Sequence, residues 1–273
     1  MSGPKRHHYV PKFLLHEFSL APDAKNPVIW KLDKKTGRPT RTAIEGETVV
    51  SHFYRLQEKT GDPSSVERGL SMIEGIAADH IERLLKGSVL SPAERAEAAT
   101  FFLLHQRRTP RSRHWAVEVM KHALKLQVGI DIGNAEDKIR AYLQKEHGSV
   151  TDEEVAAFQD DLLAASRGDR IVAEATSDHK VLGIFIAGNE VAEAIASQMT
   201  WCILRTDPPH EFVIADHPLC IFDAIAPPGH GAGWLSSPAV EEILPIGRHM
   251  CLTFKPGPPD VMEKRADGAT LRT

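Results

Sequence analysis

The sequence predicts an α+β protein whose helical middle lobe packs on a small, largely antiparallel sheet built from N- and C-terminal strands. Near both ends of the chain, strand-forming residues occur in short runs that are separated by turn residues. Between these ends, apolar residues recur at helical spacing. Strands on either side of a run of helices are typical of the α+β class. The chain has 273 residues, of which 42% are hydrophobic, which is enough for a sizeable core.

The chain contains no internal repeat, no low-complexity block and no convincing linker. We therefore treat residues 1–273 as a single domain with three segments. Residues 1–61 hold an N-terminal motif and a hairpin, residues 62–199 form the helical lobe, and residues 200–273 supply the C-terminal strands.

The first elements have clear local patterns. The segment PVIWKLDKKTGRPTRTAI predicts a β-hairpin, because strand formers over Val28–Leu32 are followed by a turn that contains Gly37. After residues 62–63 the apolar spacing becomes helical, and Gly87 ends the pattern. The apolar positions of this helix are Val66, Leu70, Ile73, Ala77, Ile81 and Leu84.

The next helix has a strong start and an internal break. Ser91 is a good N-cap, Pro92 suits the first helical position and Glu94 completes a capping box. Pro110 removes one backbone hydrogen bond and clashes with the carbonyl of Gln106, so we expect a kink or a break there.

The rest of the chain predicts three helices and then strands. The helices are expected near residues 135–146, 152–166 and 176–199, the last being long, apolar and buried. Strands follow at TWCILRTD and HEFVIADHPLCIF, and EEILPIGRHMCLTF predicts a strand, a turn and a second strand. GHGAGW between them is predicted to be a glycine-rich loop that does not open a helix, so it is not a phosphate-binding loop.

Composition excludes several classes of protein. The formal net charge is −4, so the chain as a whole is not built to coat nucleic acid or an anionic membrane, and a nucleic-acid role needs a local basic patch. Only three cysteines occur, and no apolar signal segment follows the basic N-terminus, so we expect a cytoplasmic protein without a disulfide framework. The longest apolar stretch, VLGIFIA, is too short to span a bilayer, so no membrane partner is expected.

The segment FFLLHQRRTPRSRHW is the most informative stretch for function. On a helical wheel, one narrow stripe contains Phe101, His105, Arg108, Ser112, Trp115 and Val119. His105 and Arg108 should therefore point inward with the aromatic residues. An inward arginine stays charged and needs a carboxylate, carbonyl or anion partner. A buried structural ion pair and a ligand site explain this pattern equally well.

The same stretch is the strongest local basic patch in the chain. Arg107, Arg111 and Arg113 lie on other faces of the helix, where solvation is the simpler explanation. The patch nevertheless favours a phosphate-bearing ligand or nucleic acid as a partner.

Carboxylates occur at two further places. Glu67 and Glu74, seven residues apart on one helix, lie beside its apolar stripe, where they can hold a divalent metal or answer an inward arginine; ordinary salt bridges at the core boundary are the alternative. Asp216 follows the apolar run FVIA and is expected at the end of a strand on the sheet edge. A simple turn at Asp216-His217-Pro218 is the alternative there.

Two adjacent histidines precede an apolar N-terminal patch. Pro11 favours an extended conformation at Val10, and successive side chains of an extended chain face opposite ways. One of His7 and His8 should therefore point inward, beside the helix that carries His105 and Arg108. We favour His8 for the inward position.

Several motifs occur in a recognisable order. They are HHYVPKFLLHEF, IWKLDKKTGR, HFY, the helix with Glu67 and Glu74, HQRRTPRSR, WCILRT, FVIADHPL and LPIG. Together they resemble a bacterial domain family of unknown function that is marked by an N-terminal His-x-x-Val-Pro-x-x-x-Leu-x-x-Phe motif. The motif maps onto His7 or His8, Val10, Pro11, Leu14 or Leu15, and Phe18.

The resemblance covers nearly the whole chain and implies no particular reaction. Members of the family commonly continue beyond the LPIG region with another helix. Since this chain stops at Thr273, the resemblance implies either a short member or a truncated one.

Two classes of function fit these observations. In the first, the protein is a nuclease-like enzyme that acts on phosphodiester or nucleotide substrates. His8 would act as a base or metal ligand, Glu74 and Asp216 would hold a divalent metal or orient water, and Arg108 would stabilise phosphate charge. The expected binding residues are His7, Glu67, His105, Arg107, Arg111 and Arg113. The oligomeric state and the presence of a metal are left open.

In the second class, the protein has no catalytic activity. It would be a binding or effector protein whose Arg-rich helix docks an anionic ligand, a nucleic acid or a partner. Convergence of the histidine, glutamate, arginine and aspartate side chains on an accessible pocket would favour the enzyme. Convergence in a site sealed from solvent would favour a structural network.

Overall fold

The computed structural model describes residues 6–56, 62–168, 176, 178, 181, 188–226, 237–259 and 261–265. It confirms the α+β class, with helices in the middle of the chain and strands towards both ends. The N-terminal elements are β1 (Arg6–His8), α1 (Lys12–His16), β2 (Val28–Leu32), β3 (Pro39–Ala43) and β4 (Val49–Ser51). The middle helices are α2 (Ser65–Leu85), α3 (Pro92–Arg107), α4 (Pro110–Gly133), α5 (Glu136–His147), α6 (Asp152–Arg167) and α7 (Gly188–Ser197).

The strands of the two ends form separate sheets. β1 pairs with β4 and β2 pairs with β3, both in antiparallel fashion. The C-terminal strands are β5 (Met199–Arg205), β6 (Cys220–Asp223), β7 (Val240–Gly247), β8 (Met250–Pro256) and β9 (Val261–Arg265). They form one sheet in the order β6–β7–β8–β5–β9, in which only the β5–β9 pair is parallel.

The predicted hairpin is confirmed, and its turn has the expected chemistry. The Asp33 carboxylate accepts hydrogen bonds from the backbone N–H groups of Lys35 and Thr36, at 2.8 and 3.2 Å. Gly37 follows with a φ of 65°, which glycine adopts without strain. Ile29 is buried and fixes one face of the hairpin to the core, whereas Trp30 on the other face is exposed.

The predicted capping box and helix break are also confirmed. The Ser91 hydroxyl accepts from the Glu94 N–H, and the Glu94 carboxylate accepts from the Ser91 N–H at 2.7 Å. α3 ends at Arg107 and α4 begins at Pro110, since the proline ring cannot continue the α3 hydrogen-bond ladder.

Two boundary predictions are wrong. Residues 208–219 contain no strand, so Asp216 does not end one; β6 begins only at Cys220. Prolines at 208, 209 and 218 lack the N–H groups that a ladder needs. Met199 starts β5 instead of ending a helix, and α7 stops at Ser197. Most of residues 176–187 and the GHGAGW loop lie outside the described residues.

The largest core joins the N-terminal segment, α2, α3, α7 and the C-terminal sheet. Phe102, Trp201 and Phe254 pack against one another at its centre, with ring centroids 5.0 to 5.6 Å apart. By its internal contacts the chain forms two compact units, Met1–Ser112 with Ile184–Thr273, and Arg113–Gly183. The second unit has its own small core of Ile139, Leu143 and Val155. The single domain stays a prediction.

No helix among the described residues is both long and apolar enough to cross a membrane. Cys202, Cys220 and Cys251 are all free.

Candidate functional site

Side chains from β1, α2 and the end of α3 form a polar group inside the first unit. We call it the Arg108 cluster, and its members are His7, Glu67, Glu74, His105 and Arg108. Glu67 and Glu74 lie two turns apart on α2, and Arg108 caps the C-terminus of α3. Of the four residues that the sequence predicts to converge, Glu74 and Arg108 are bonded to each other, whereas His8 lies near Lys12 and Glu45 and Asp216 lies beside His217.

Arg108 is the central residue of the cluster. Only 1% of its surface is exposed, yet its guanidinium keeps its charge. Its Nη1 donates to the Glu74 carboxylate. Its Nε and Nη2 have no hydrogen-bond partner among the described residues. These two N–H groups form the edge of the guanidinium that binds carboxylates and phosphates in bidentate fashion, so an oxyanion-binding edge is left unused.

Glu67 has a free acceptor in the same region. Burial raises the pKa of Glu67, and the neighbouring Glu74 carboxylate acts in the same direction, whereas His7 and Arg108 lower it. Its Oε2 is buried, lies 3.9 Å from the His7 Nδ1 and makes no hydrogen bond within the described part of the chain. A carboxylate with a raised pKa is better suited to accept and return a proton near neutral pH.

His7, and not His8, is the inward histidine. His7 is 4% exposed, stacks on the Tyr54 ring at 5.4 Å and accepts the Tyr54 backbone N–H at its Nδ1, 2.9 Å away. Alternation along β1 is confirmed, but the preference for His8 is wrong because the β1–β4 register turns that residue the other way.

His8 lies on the opposite face of β1, near Lys12 and Glu45. Burial, followed by the Lys12 charge, lowers the pKa of His8. Its predicted role as a catalytic base or metal ligand beside Glu74 and Arg108 has no support in this placement.

His105 is completely buried and stacks on Phe101, with ring centroids 5.3 Å apart. Neither of its ring nitrogens has a hydrogen-bond partner among the described residues. Burial, reinforced by the charge of Arg108 and by His217, holds the pKa of His105 well below its usual value. His105 is thus a neutral ring behind Arg108, which does not suit the predicted role in binding an anion.

A second group adjoins the cluster at the break between α3 and α4. The Thr109 hydroxyl, which is buried, lies 2.8 Å from the His217 Nδ1. Burial and the Arg111 charge lower the pKa of His217, while Asp216 raises it. Asp216 itself is exposed. Burial raises the pKa of Tyr9, and the charge of Asp216 raises it further. Asp216 therefore belongs to this His217 group rather than to the Arg108 cluster.

The remaining predicted binding residues are Arg107, Arg111 and Arg113. Arg107 is half-buried and burial lowers its pKa; Arg111 is exposed beside His217. Arg113 lies on α4 in the second unit. The role of these arginines in binding an anion stays a prediction.

Carboxylates of the described residues were also predicted to hold a divalent metal. No group of three His, Cys, Asp or Glu side chains in the described ranges is placed to hold a metal ion. Glu74 is bonded to Arg108, so this one of the two carboxylates answers the inward arginine.

A groove of about 430 Å³ lies elsewhere, between α3 and α7. It is lined by Pro92, Arg95, Ala96, Thr100, Ala192, Glu193, Ala196, Ser197 and Pro259. None of these residues belongs to the Arg108 cluster. Its lining consists largely of small side chains, and Arg95 is already bonded to the Met199 carbonyl at 3.0 Å.

A family model described as "Protein of unknown function (DUF4238)" matches residues 6–269. The chain belongs to the DUF4238 family. No match was found among curated proteins or among solved structures. Membership confirms the resemblance to a family of unknown function and transfers no activity. The placement of the His-x-x-Val-Pro motif on particular residues stays a prediction.

Two contacts of this DUF4238 chain were missed by the sequence reasoning: the bond from the Tyr54 backbone N–H to His7 and the contact between Thr109 and His217. One signal was available for the choice between the histidines. In His-x-x-Val-Pro the histidine stands three positions before the valine, and counting back from Val10 gives His7. Tyr54 and Thr109 carry no comparable signal, because their partners are distant in sequence.

Proposed function

We propose that this DUF4238 protein is an enzyme that acts on phosphodiester or nucleotide substrates, with Arg108 and Glu67 at its reactive centre. The observation that carries the proposal is that the Nε and Nη2 of Arg108 and the Oε2 of Glu67, on which the Arg108 charge acts, have no hydrogen-bond partner among the described residues. Buried polar groups without partners are rare and costly, and they persist mainly where a ligand or a reaction needs them.

Arg108 would hold the substrate through the free edge. Two non-bridging phosphate oxygens match the spacing of Nε and Nη2, and the positive charge stabilises the negative charge that develops at phosphorus. Glu74 keeps the guanidinium fixed by bonding its third nitrogen, Nη1. His105 supports the same arrangement by packing as an uncharged ring.

Glu67 would act as the general base. It takes a proton from a water molecule as the water oxygen bonds to phosphorus, the ester P–O bond breaks and the departing oxygen takes its proton from solvent. His7 lies beside this carboxylate and its ring is locked by Tyr54, so His7 is a positioning residue for Glu67.

The test is turnover by the purified protein on a panel of RNA, DNA and nucleotides, with and without Mg²⁺ or Mn²⁺. We expect hydrolysis of at least one substrate, and a drop of roughly 10²–10³-fold in kcat for Arg108→Lys, which keeps the charge but loses the fork. The absence of turnover on the whole panel would overturn the proposal.

The burial of Arg108 favours a second candidate, which is binding of a small oxyanion without chemistry. In that case inorganic phosphate would raise the melting temperature of the wild type but not that of Arg108→Lys, while no substrate is consumed. Phosphate binding together with turnover supports the enzyme instead.

A further inference from the structure

The β2–β3 hairpin carries a basic and aromatic surface that the proposed reaction does not explain. Between residues 28 and 43 the sequence has five cationic residues and a single carboxylate, Asp33, in a chain whose net charge is −4. Asp33 is occupied by the turn, where it accepts two backbone N–H groups. The hairpin is therefore strongly positive in a protein that is negative overall.

One face of this hairpin is also unusually apolar for a surface. Trp30 is 57% exposed and Leu32 is 65% exposed, and they project to the same side because they are two residues apart on one strand. Their cross-strand partners are Arg41 and Pro39. The Arg41 guanidinium lies 6.0 Å from the centre of the Trp30 ring, within range of a cation–π contact.

Four of the five cations are available to a ligand. Lys31 is paired with Glu47 at 3.0 Å. Lys34, Lys35, Arg38 and Arg41 form no ion pair with any residue in the described ranges, and all four are exposed. The tip of the hairpin and its aromatic face therefore present free positive charge beside a flat, exposed indole.

We propose that this hairpin binds single-stranded nucleic acid. Unpaired bases stack on exposed aromatic rings, and the phosphates that link them are attracted to neighbouring lysines and arginines. In a duplex the bases are already stacked on one another, so they are not available to stack on Trp30. An acidic peptide has no base to stack on the Trp30 indole.

The hairpin is tied to the strand that carries His7. Glu47 bonds both Lys31 and the Thr42 hydroxyl, and the carbonyl of the next residue, Thr48, accepts the backbone N–H of Tyr9, which follows β1, at 2.9 Å. This inference names the substrate class of the proposed enzyme and in that sense rests on the proposed function. Binding can nevertheless be measured without turnover.

The experiment is fluorescence anisotropy of a labelled, unstructured single-stranded oligonucleotide, measured with the Glu67→Gln variant so that cleavage does not interfere. Trp30→Leu keeps an apolar side chain and removes the stacking surface, and it should weaken binding about tenfold. Trp115→Leu is the matched control, because Trp115 is also largely exposed, at 68%, but lies on α4. It should leave the affinity unchanged.

Charge is tested separately with the triple change Lys34→Gln, Lys35→Gln and Arg38→Gln. This variant should bind more weakly and show a shallower dependence of affinity on salt, because fewer counterions are released. The same oligonucleotide as a duplex, and polyglutamate as a competitor, should both bind more weakly than the single strand.

Equal affinity of Trp30→Leu and Trp115→Leu, or equal binding of duplex, polyglutamate and single strand, would overturn the inference. Trp30-dependent binding in a protein without turnover would uphold it while the proposed function fails. If the protein hydrolyses a substrate but binds the single strand equally well without the Trp30 ring, the proposed function is supported and this inference fails.

Discussion

At the scale of single residues, the Arg108 cluster contains more unsatisfied polar groups than stability alone would retain. A structural ion pair explains the bond from Arg108 to Glu74. It does not explain why two more nitrogens of the same guanidinium, and an oxygen of Glu67, are buried without a partner in the part of the chain that the structure describes. The burial of these atoms favours a structural network, as expected for a site sealed from solvent, whereas their missing partners favour a function, because replacing such groups with neutral ones often stabilises a protein.

Glu67→Gln should increase stability at neutral pH. Because burial raises the folded-state pKa of Glu67 above 4.5, the folded state holds a proton that the unfolded state has lost, and stability falls as pH rises through this range. Glutamine does not ionise, so the Glu67→Gln variant does not lose stability in this way as pH rises. Urea unfolding should show a gain at neutral pH that vanishes below pH 4.5. A variant that is less stable than the wild type at neutral pH would indicate a structural role for the carboxylate.

His105→Phe should flatten the acid side of the stability profile. The folded-state pKa of His105 lies well below 6.5, so the unfolded state binds an extra proton below pH 6.5 and wild-type stability falls there, by up to about 1.4 kcal/mol per pH unit. Phenylalanine keeps the ring that stacks on Phe101 and cannot be protonated. Its stability relative to the wild type should therefore rise as pH falls. Parallel pH profiles of the two proteins would contradict the assignment.

At the scale of elements, local signals were sufficient wherever partners are close in sequence. The hairpin turn at Gly37, the capping box at Ser91 and the break at Pro110 all follow from side chains within a few residues of one another. Strand pairing is not local. The register of β1 with β4 decides which histidine faces inward, and the parallel strand β9 joins a distant β5. No short-range pattern encodes the β5–β9 pairing, and only the spacing of His-x-x-Val-Pro pointed to His7.

Ser91→Ala should destabilise the protein by about 1 kcal/mol, because the N-terminus of α3 loses the hydroxyl that accepts the Glu94 N–H. Ser71→Ala is the control, since Ser71 is exposed in the middle of α2, where alanine is a better helix former. Chemical unfolding of both variants checks the difference. Equal effects of the two changes would mean that the capping box contributes nothing.

At the scale of the whole molecule, composition and periodicity predicted the class of fold but not how the strands divide. The N-terminal strand β1 contributes His7 to the Arg108 cluster. The C-terminal strands form a separate sheet that shares the largest core with α2 and α3. The site was predicted in part. Helical spacing predicted that Arg108 points inward and that α2 carries carboxylates able to pair with it. His7 in place of His8, and Asp216 beside His217, depend on tertiary contacts between distant segments.

The central claim is that Glu67 and Arg108 carry out chemistry on a phosphodiester. The most direct measurement is the initial rate of single-stranded oligonucleotide hydrolysis by wild type, Glu67→Gln and His8→Ala, with folding verified by circular dichroism. We expect Glu67→Gln to lower the rate by about 10²–10⁴-fold and His8→Ala, on the opposite face of β1, to leave it near the wild-type value. A folded Glu67→Gln variant that hydrolyses the oligonucleotide at the wild-type rate would contradict the claim.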